Sequence, residues 1–242
     1  MCGRFRQTRS RKQLEDIFSG RFDEGGPGGE SLEVAPHYNI APSQEVVTVR
    51  QPLDQPLRRL SFLRWGLVPH WAKEIKVGYK NINARAETAA TIPAFRDAFK
   101  SQRCLIPADG FYEWQKSESG KHPYMFEVGN GEPFAFAGLW DKWRQPDGKS
   151  IATCAILTTR PNFITAPVHD RMPVILNPEA YDLWLDPAFK NVEELTAMLQ
   201  PYDSARMRCY PVSARVNDPK NDDLECVRPF EARPEAPQPG LF

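Results

Sequence analysis

Cys104-Leu105-Ile106-Pro107-Ala108-Asp109-Gly110-Phe111-Tyr112-Glu113-Trp114 joins branched and aromatic residues around an Asp-Gly step. It reads as strand, because such side chains suit a pleated, half-buried surface. Similar short runs recur at Val46–Val49, Leu60–Trp65, Tyr124–Val128, Phe134–Trp140, Ile151–Thr158, Val174–Leu176 and Met207–Val212. Pro, at 23 residues, is about twice its usual share of roughly 5%, which favours strands joined by stiff loops.

Helices punctuate these strands without alternating regularly with them. Leu14, Ile17 and Phe18 have helical spacing within residues 10–19. Pro93 stands at a plausible first helical position before Ala94–Lys100, where Phe95 and Phe99 share a core face. Asn191 with Glu194 forms a capping box for a helix through Leu199. Glu24–Glu30 reads as a Gly-rich surface loop. The irregular order excludes a doubly wound parallel sheet and predicts an α+β fold. The expected arrangement is one β-rich domain over residues 1–230, followed by a Pro-rich tail over residues 231–242.

Lys plus Arg and Asp plus Glu both total 31, so any attraction for a polyanion must come from a local cluster. Cysteines at 2, 104, 154, 209 and 226 form an odd set without a Cys-x-x-Cys pair. That argues against a disulfide framework and against zinc, and it suits a reducing cytosol. No metal and no cofactor are expected. Signals for secretion or N-myristoylation are absent, and no run reaches the roughly 20 apolar residues that span a bilayer. A cytoplasmic monomer is the expectation, nucleoid-associated if the source is bacterial.

In Met1-Cys2-Gly3-Arg4-Phe5, removal of one residue sets an α-amine and a thiol on neighbouring carbons. Such a pair condenses with an aldehyde: the amine gives an imine, and sulfur then closes a five-membered thiazolidine ring. An α-amine titrates near 8 and a Lys amine near 10.4, so the terminal amine carries far more free base at neutral pH. The alternative is that Cys2 is simply a small residue behind the start codon.

Five further segments accompany this start: Tyr38-Asn39-Ile40-Ala41-Pro42, Trp65-Gly66-Leu67-Val68-Pro69-His70-Trp71, Asn81-Ile82-Asn83-Ala84-Arg85-Ala86-Glu87-Thr88, Asp109–Trp114 and His169-Asp170-Arg171-Met172-Pro173. In order and separation, they closely resemble the SRAP family, the SOS response-associated peptidases. The resemblance implies a barrel-like mixed sheet core with several peripheral helices. It also implies autocatalytic loss of Met1, a peptidase-like action, and thiazolidine crosslinking of Cys2 to the ring-opened sugar of an abasic site in single-stranded DNA.

The resemblance gives Cys2, Asn83, Glu113 and His169 catalytic roles, and it assigns Arg4, Pro42, Trp71, Arg85 and Arg171 to the DNA. Glu113, between Tyr112 and Trp114, should have a raised pKa and shuttle protons; a surface-strand Glu is the alternative. His169 would help to open the sugar, and Asn83 would hold the reacting groups. The arginine forks suit phosphates, although Glu87 is a credible partner for Arg85. Trp71 would stack on a base beside the gap, unless it is buried core.

An imine also acidifies the neighbouring C2 proton, so weak lyase activity is expected. The rivals are an N-terminal-nucleophile amidohydrolase using the same Cys2 and a non-enzymatic reader of modified bases.

Overall fold

The computed structural model describes residues 2–23 and 33–230. Met1, the expected Gly-rich loop at residues 24–30 and the tail 231–242 lie outside the described residues. The strands are β1 (Arg4–Gln7), β2 (Gly20–Phe22), β3 (His37–Ile40), β4 (Glu45–Arg50), β5 (Arg58–Trp65), β6 (Asn83–Arg85), β7 (Arg103–Ala108), β8 (Gly110–Ser117), β9 (Gly120–Val128), β10 (Phe134–Arg144), β11 (Ser150–Thr159), β12 (Met172–Pro173), β13 (Ile175–Leu176) and β14 (Met207–Pro211). The helices are α1 (Arg11–Ile17), α2 (Arg96–Ser101), α3 (Tyr181–Leu185) and α4 (Val192–Ala197).

Five strands close on themselves. β4 runs antiparallel to β5 and β7, and β10 runs antiparallel to β7 and β11. A parallel pairing of β11 with β5, at Thr153 with Arg64 and Cys154 with Trp65, completes the ring. Closure leaves these five strands no free edge, and the parallel link makes the barrel mixed. β2 extends the sheet from β5, β6 and β12 extend it from β11, and β13 pairs with β10. A second, antiparallel sheet has the order β14-β9-β8-β1-β3. The expected β-rich α+β fold with a barrel core is therefore present.

The run Cys104–Trp114 is two strands in different sheets, not one. At the break, the buried Asp109 carboxylate accepts from Thr8 Oγ1 and Arg9 Nε, each at 2.8 Å, which offsets its desolvation. Gly110 follows because a Cβ there would stand 2.8 Å from Met125 Sδ and 3.1 Å from Phe126 O. The Asp-Gly step thus carries the chain from barrel to second sheet, and Glu113 with it.

Aromatic packing holds the layers together. Phe5 of β1 meets Trp65 and Phe136 edge-on, with ring centres 5.2 and 5.7 Å apart. Phe111 and Phe126 join the same cluster, which also includes Cys2, Ile106 and Ile156. Alternate strand residues Val47, Leu60, Leu105, Ala137 and Leu157 belong to a second cluster, where Leu14, Phe99, Trp184 and Leu195 bring in the helices. This period-two division places apolar residues on both faces of the barrel strands.

Two helix starts differ from expectation. α2 begins at Arg96 with Phe95 as its cap, so Pro93 lies in the preceding turn rather than at the first helical position. The Asn191 side chain accepts from the Glu193 and Glu194 backbones, whereas Glu194 returns its side chain to the Asn191 amide instead of the cap N–H. That helix stops at Ala197, short of Leu199. Among the described residues, no helix is long and apolar enough to cross a membrane.

Candidate active site

Cys2 sits where the barrel and the second sheet meet. The pairing of Phe5 with Phe111 and the burial of the Phe5 ring fix the chain three residues downstream. Asn83, on β6 beside Ile156 of the barrel, donates from Nδ2 to the Cys2 carbonyl at 2.8 Å. Asn83 Oδ1 is buried and has no hydrogen-bond partner among the described residues, leaving one acceptor available next to residue 2. The Cys2 side chain is 0% exposed, and Sγ lies 3.9 Å from the Arg4 carbonyl. Burial pushes the thiol pKa up, and the nearby Glu113 carboxylate pushes it further in the same direction.

Glu113 reaches this junction from β8 and is 3% exposed, which excludes the surface-strand alternative. Desolvation raises its pKa, with His169 opposing the shift. His169 Nε2 lies 3.9 Å from Glu113 Oε2. On the far side of the ring, the Arg171 amide donates to Nδ1 at 3.0 Å. Asp170 Oδ1 also lies 3.0 Å from Nδ1. Two carboxylates therefore flank one imidazole.

A cavity of about 380 Å³ opens over Glu113 and His169, and Arg4, Trp114, Lys116, Lys121 and Asn217 complete its wall. Cys2 is not part of that wall. Arg4 is held by Asn39 Oδ1 at 2.8 Å and the Val216 carbonyl at 2.7 Å, with its guanidinium 5.8 Å from the Trp114 ring centre. Lys116 and Lys121 stand directly opposite across the β8–β9 hairpin. The sequence reading missed Lys116, Lys121 and Asn217. The alternation Trp114, Gln115, Lys116 beyond Glu113 was the available signal, while Asn217 comes from a distant turn.

The remaining sequence candidates divide. Arg85 is exposed and makes no side-chain hydrogen bond or ion pair with a described residue. Glu87 does not pair with it. Glu87 instead takes Arg171 in a bidentate contact of 2.7 and 2.8 Å, so that fork is already engaged. Trp71 is 55% exposed, which rules out the buried-core alternative. It lines a different cavity, of about 570 Å³, with Lys73, Lys76 and Lys80. Pro42 is half-buried in the turn between β3 and β4, where the Ser43 amide donates to the Trp65 carbonyl at 2.8 Å. Thus Arg4, Glu113 and His169 share one cavity with Cys2 and Asn83 behind it, whereas Trp71 does not line it.

Burial raises the thiol pKa of Cys104 to about 12 and that of Cys154 well above the usual range, so both are held as unreactive thiols. Among the described residues, no group of three or more His, Cys, Asp or Glu is placed to hold a metal ion.

Comparison with known proteins converges on one family. The abasic site processing protein YoqW of Bacillus subtilis is 45% identical over 229 residues, covering 94% of this chain and 99% of YoqW. The abasic site processing protein HMCES of Gallus gallus is 32% identical over 258 residues, covering 94% of this chain and 72% of HMCES. Among crystal structures, a protein from Bacteroides thetaiotaomicron superposes with a TM-score of 0.83 at 24% identity, over 95% of this chain and all of that one, and so shares the fold. A Bordetella bronchiseptica protein gives a TM-score of 0.73 at 28% identity, over 88% of this chain and 100% of that one. Residues 1–219 match the family described as SOS response associated peptidase (SRAP), and the chain belongs to that family.

Proposed function

We propose that this protein processes abasic sites in single-stranded DNA by covalent capture at Cys2, after loss of Met1. The observation that carries the reading is the convergence on Cys2 of Asn83, bonded to its carbonyl, and the Glu113–His169 pair, under a cavity edged by cations. The names of the relatives, abasic site processing proteins, point to the same substrate.

In this reading, His169 moves a proton as the sugar opens to its aldehyde. The freed Cys2 amine attacks C1, and loss of water gives an imine. The thiol then adds to that carbon: the S–C bond forms as the thiol proton passes to the imine nitrogen. Glu113 carries protons between these steps, its raised pKa bringing it closer to neutrality. Asn83 Oδ1 accepts from the amine. Arg4 and Arg85 contact phosphates, and Lys116 and Lys121 add to the positive wall. Arg171 acts chiefly through Glu87 and the His169 loop. Trp71 and Pro42 guide strand outside the cavity, Trp71 by stacking. β-Elimination from the imine supplies weak lyase activity, and the hydrolytic action is confined to Met1. The protein works as a soluble cytoplasmic monomer without a cofactor.

The N-terminal-nucleophile amidohydrolase uses the same Cys2, with its freed amine as base, and differs from capture in its substrate. Intact mass after mixing with abasic single-stranded DNA, beside turnover of model amides, separates the two. One covalent adduct per chain without amide turnover supports capture. Amide turnover without an adduct overturns it.

A further inference from the structure

Another cavity, of about 480 Å³, lies at the Arg50 end of β4, the Arg103 start of β7 and Trp140 of β10. It shares no lining residue with the cavity over Glu113. Arg50, Arg59, Arg103 and Lys190 line it, and among the described residues no carboxylate does.

The cations here are under-compensated. Arg50 Nη2 donates to Ser61 Oγ at 2.7 Å and lies 3.9 Å from Asp23, which pairs more closely with Arg59. One carboxylate thus serves two guanidinium groups. Arg50 Nε is buried with no hydrogen-bond partner among the described residues, and its guanidinium stacks 4.6 Å from the Trp140 ring centre. Burial lowers the Arg50 pKa despite Asp23. Arg103 spends its donors on backbone carbonyls, including Trp184 O at 2.7 Å and Phe99 O at 2.8 Å. Carbonyls satisfy its geometry without neutralising its charge, and nearby Asp186 offsets only part of the burial that lowers its pKa to about 10. Desolvated positive charge without matching negative charge is costly, and an entering anion would relieve it.

The rest of the wall narrows the class of anion. Pro52, Leu53, Pro187 and Trp140 supply apolar surface, with Leu53 78% exposed. A bare inorganic anion would leave that surface wet, whereas a ligand with both a dianionic head and a flat ring would use both parts of the wall.

We propose that this cavity is a second binding site, for a phosphate monoester attached to a flat ring, namely a nucleoside monophosphate. The ligand is either free or the 5′-phosphorylated end of a DNA strand. The phosphate meets Arg50, Arg59 and Lys190, and the ring lies over Leu53 and Pro52. The site is independent of Cys2 chemistry.

Calorimetric titration of the full chain with deoxyadenosine monophosphate, deoxyadenosine and inorganic phosphate tests this. The monophosphate should bind at least about tenfold more tightly than either part, the scale of one charge-assisted contact. Lys190→Glu, at an exposed position, should weaken it by about tenfold or more while leaving the melting temperature and abasic-site capture unchanged. Arg59→Gln provides a second weakening variant. Oligonucleotides without an abasic site, with and without a 5′ phosphate, distinguish the sources. A phosphate-dependent gain that Lys190→Glu removes assigns the strand end, and its absence assigns the free nucleotide. Equal binding of nucleoside and nucleotide, or binding indifferent to both substitutions, overturns the proposal.

Discussion

His169 Nε2 stands 3.9 Å from Glu113 Oε2, so an imidazole whose Nδ1 accepts from the Arg171 amide faces a buried carboxyl. If Glu113 transfers protons during capture, Glu113→Gln keeps shape and DNA binding but slows capture by about 10²–10⁴-fold. Single-turnover rates on abasic single-stranded DNA check this. An unchanged rate would remove Glu113 from the chemistry.

The same burial has a pH signature. Folding raises the Glu113 pKa, so its contribution to stability is full below the ordinary carboxylate value and is lost as pH rises through the raised value. Gln at this position stays neutral and escapes that loss. The melting temperature of Glu113→Gln relative to the parent should therefore rise as pH climbs above the ordinary carboxylate range. A difference that does not vary with pH would contradict the desolvation argument.

Arg85 and Arg171 should separate by what they touch. Arg85 is exposed, so Arg85→Gln should leave stability unchanged, weaken DNA binding and reduce the salt slope by about 0.7, as expected for one single-strand phosphate contact. Arg171 grips the half-exposed Glu87, so Arg171→Gln should cost about 1–2 kcal/mol of stability, discounted for solvent screening. Thermal melts with salt-series binding measure both. Equal behaviour of the two variants would refute the division.

Fold class was legible in the sequence because β-branched and aromatic runs report burial on a pleated surface. The barrel's closure was not, since it depends on β11 pairing with β5 across a long separation. The break at Asp109–Gly110 was visible as a turn dipeptide, but only the packing of Met125 and Phe126 makes it a change of sheet. At the site, the desolvation of Glu113 expected from its aromatic neighbours is present, although Tyr112 and Trp114 themselves pack into a separate cluster with Met125 and Val212. Glu87 misled as a neighbour of Arg85, because β6 ends at Arg85 and Glu87 lies in the turn that follows, where Arg171 reaches it from a distant loop. Nothing local marked Lys121 and Asn217, which the hairpin register and the final turns bring to the cavity.

The account rests on the amine of Cys2, which a permanent N-terminal extension converts to an amide while leaving the thiol in place. Denaturing intact mass of the extended protein after incubation with abasic single-stranded DNA tests it most directly, with fragment mass locating any adduct. The extended chain should give no heat-stable adduct, and Cys2→Ala with Met1 removed should give only an imine that borohydride traps. A durable adduct on the extended protein would contradict the aminothiol mechanism and require attack by the thiol alone or by a lysine.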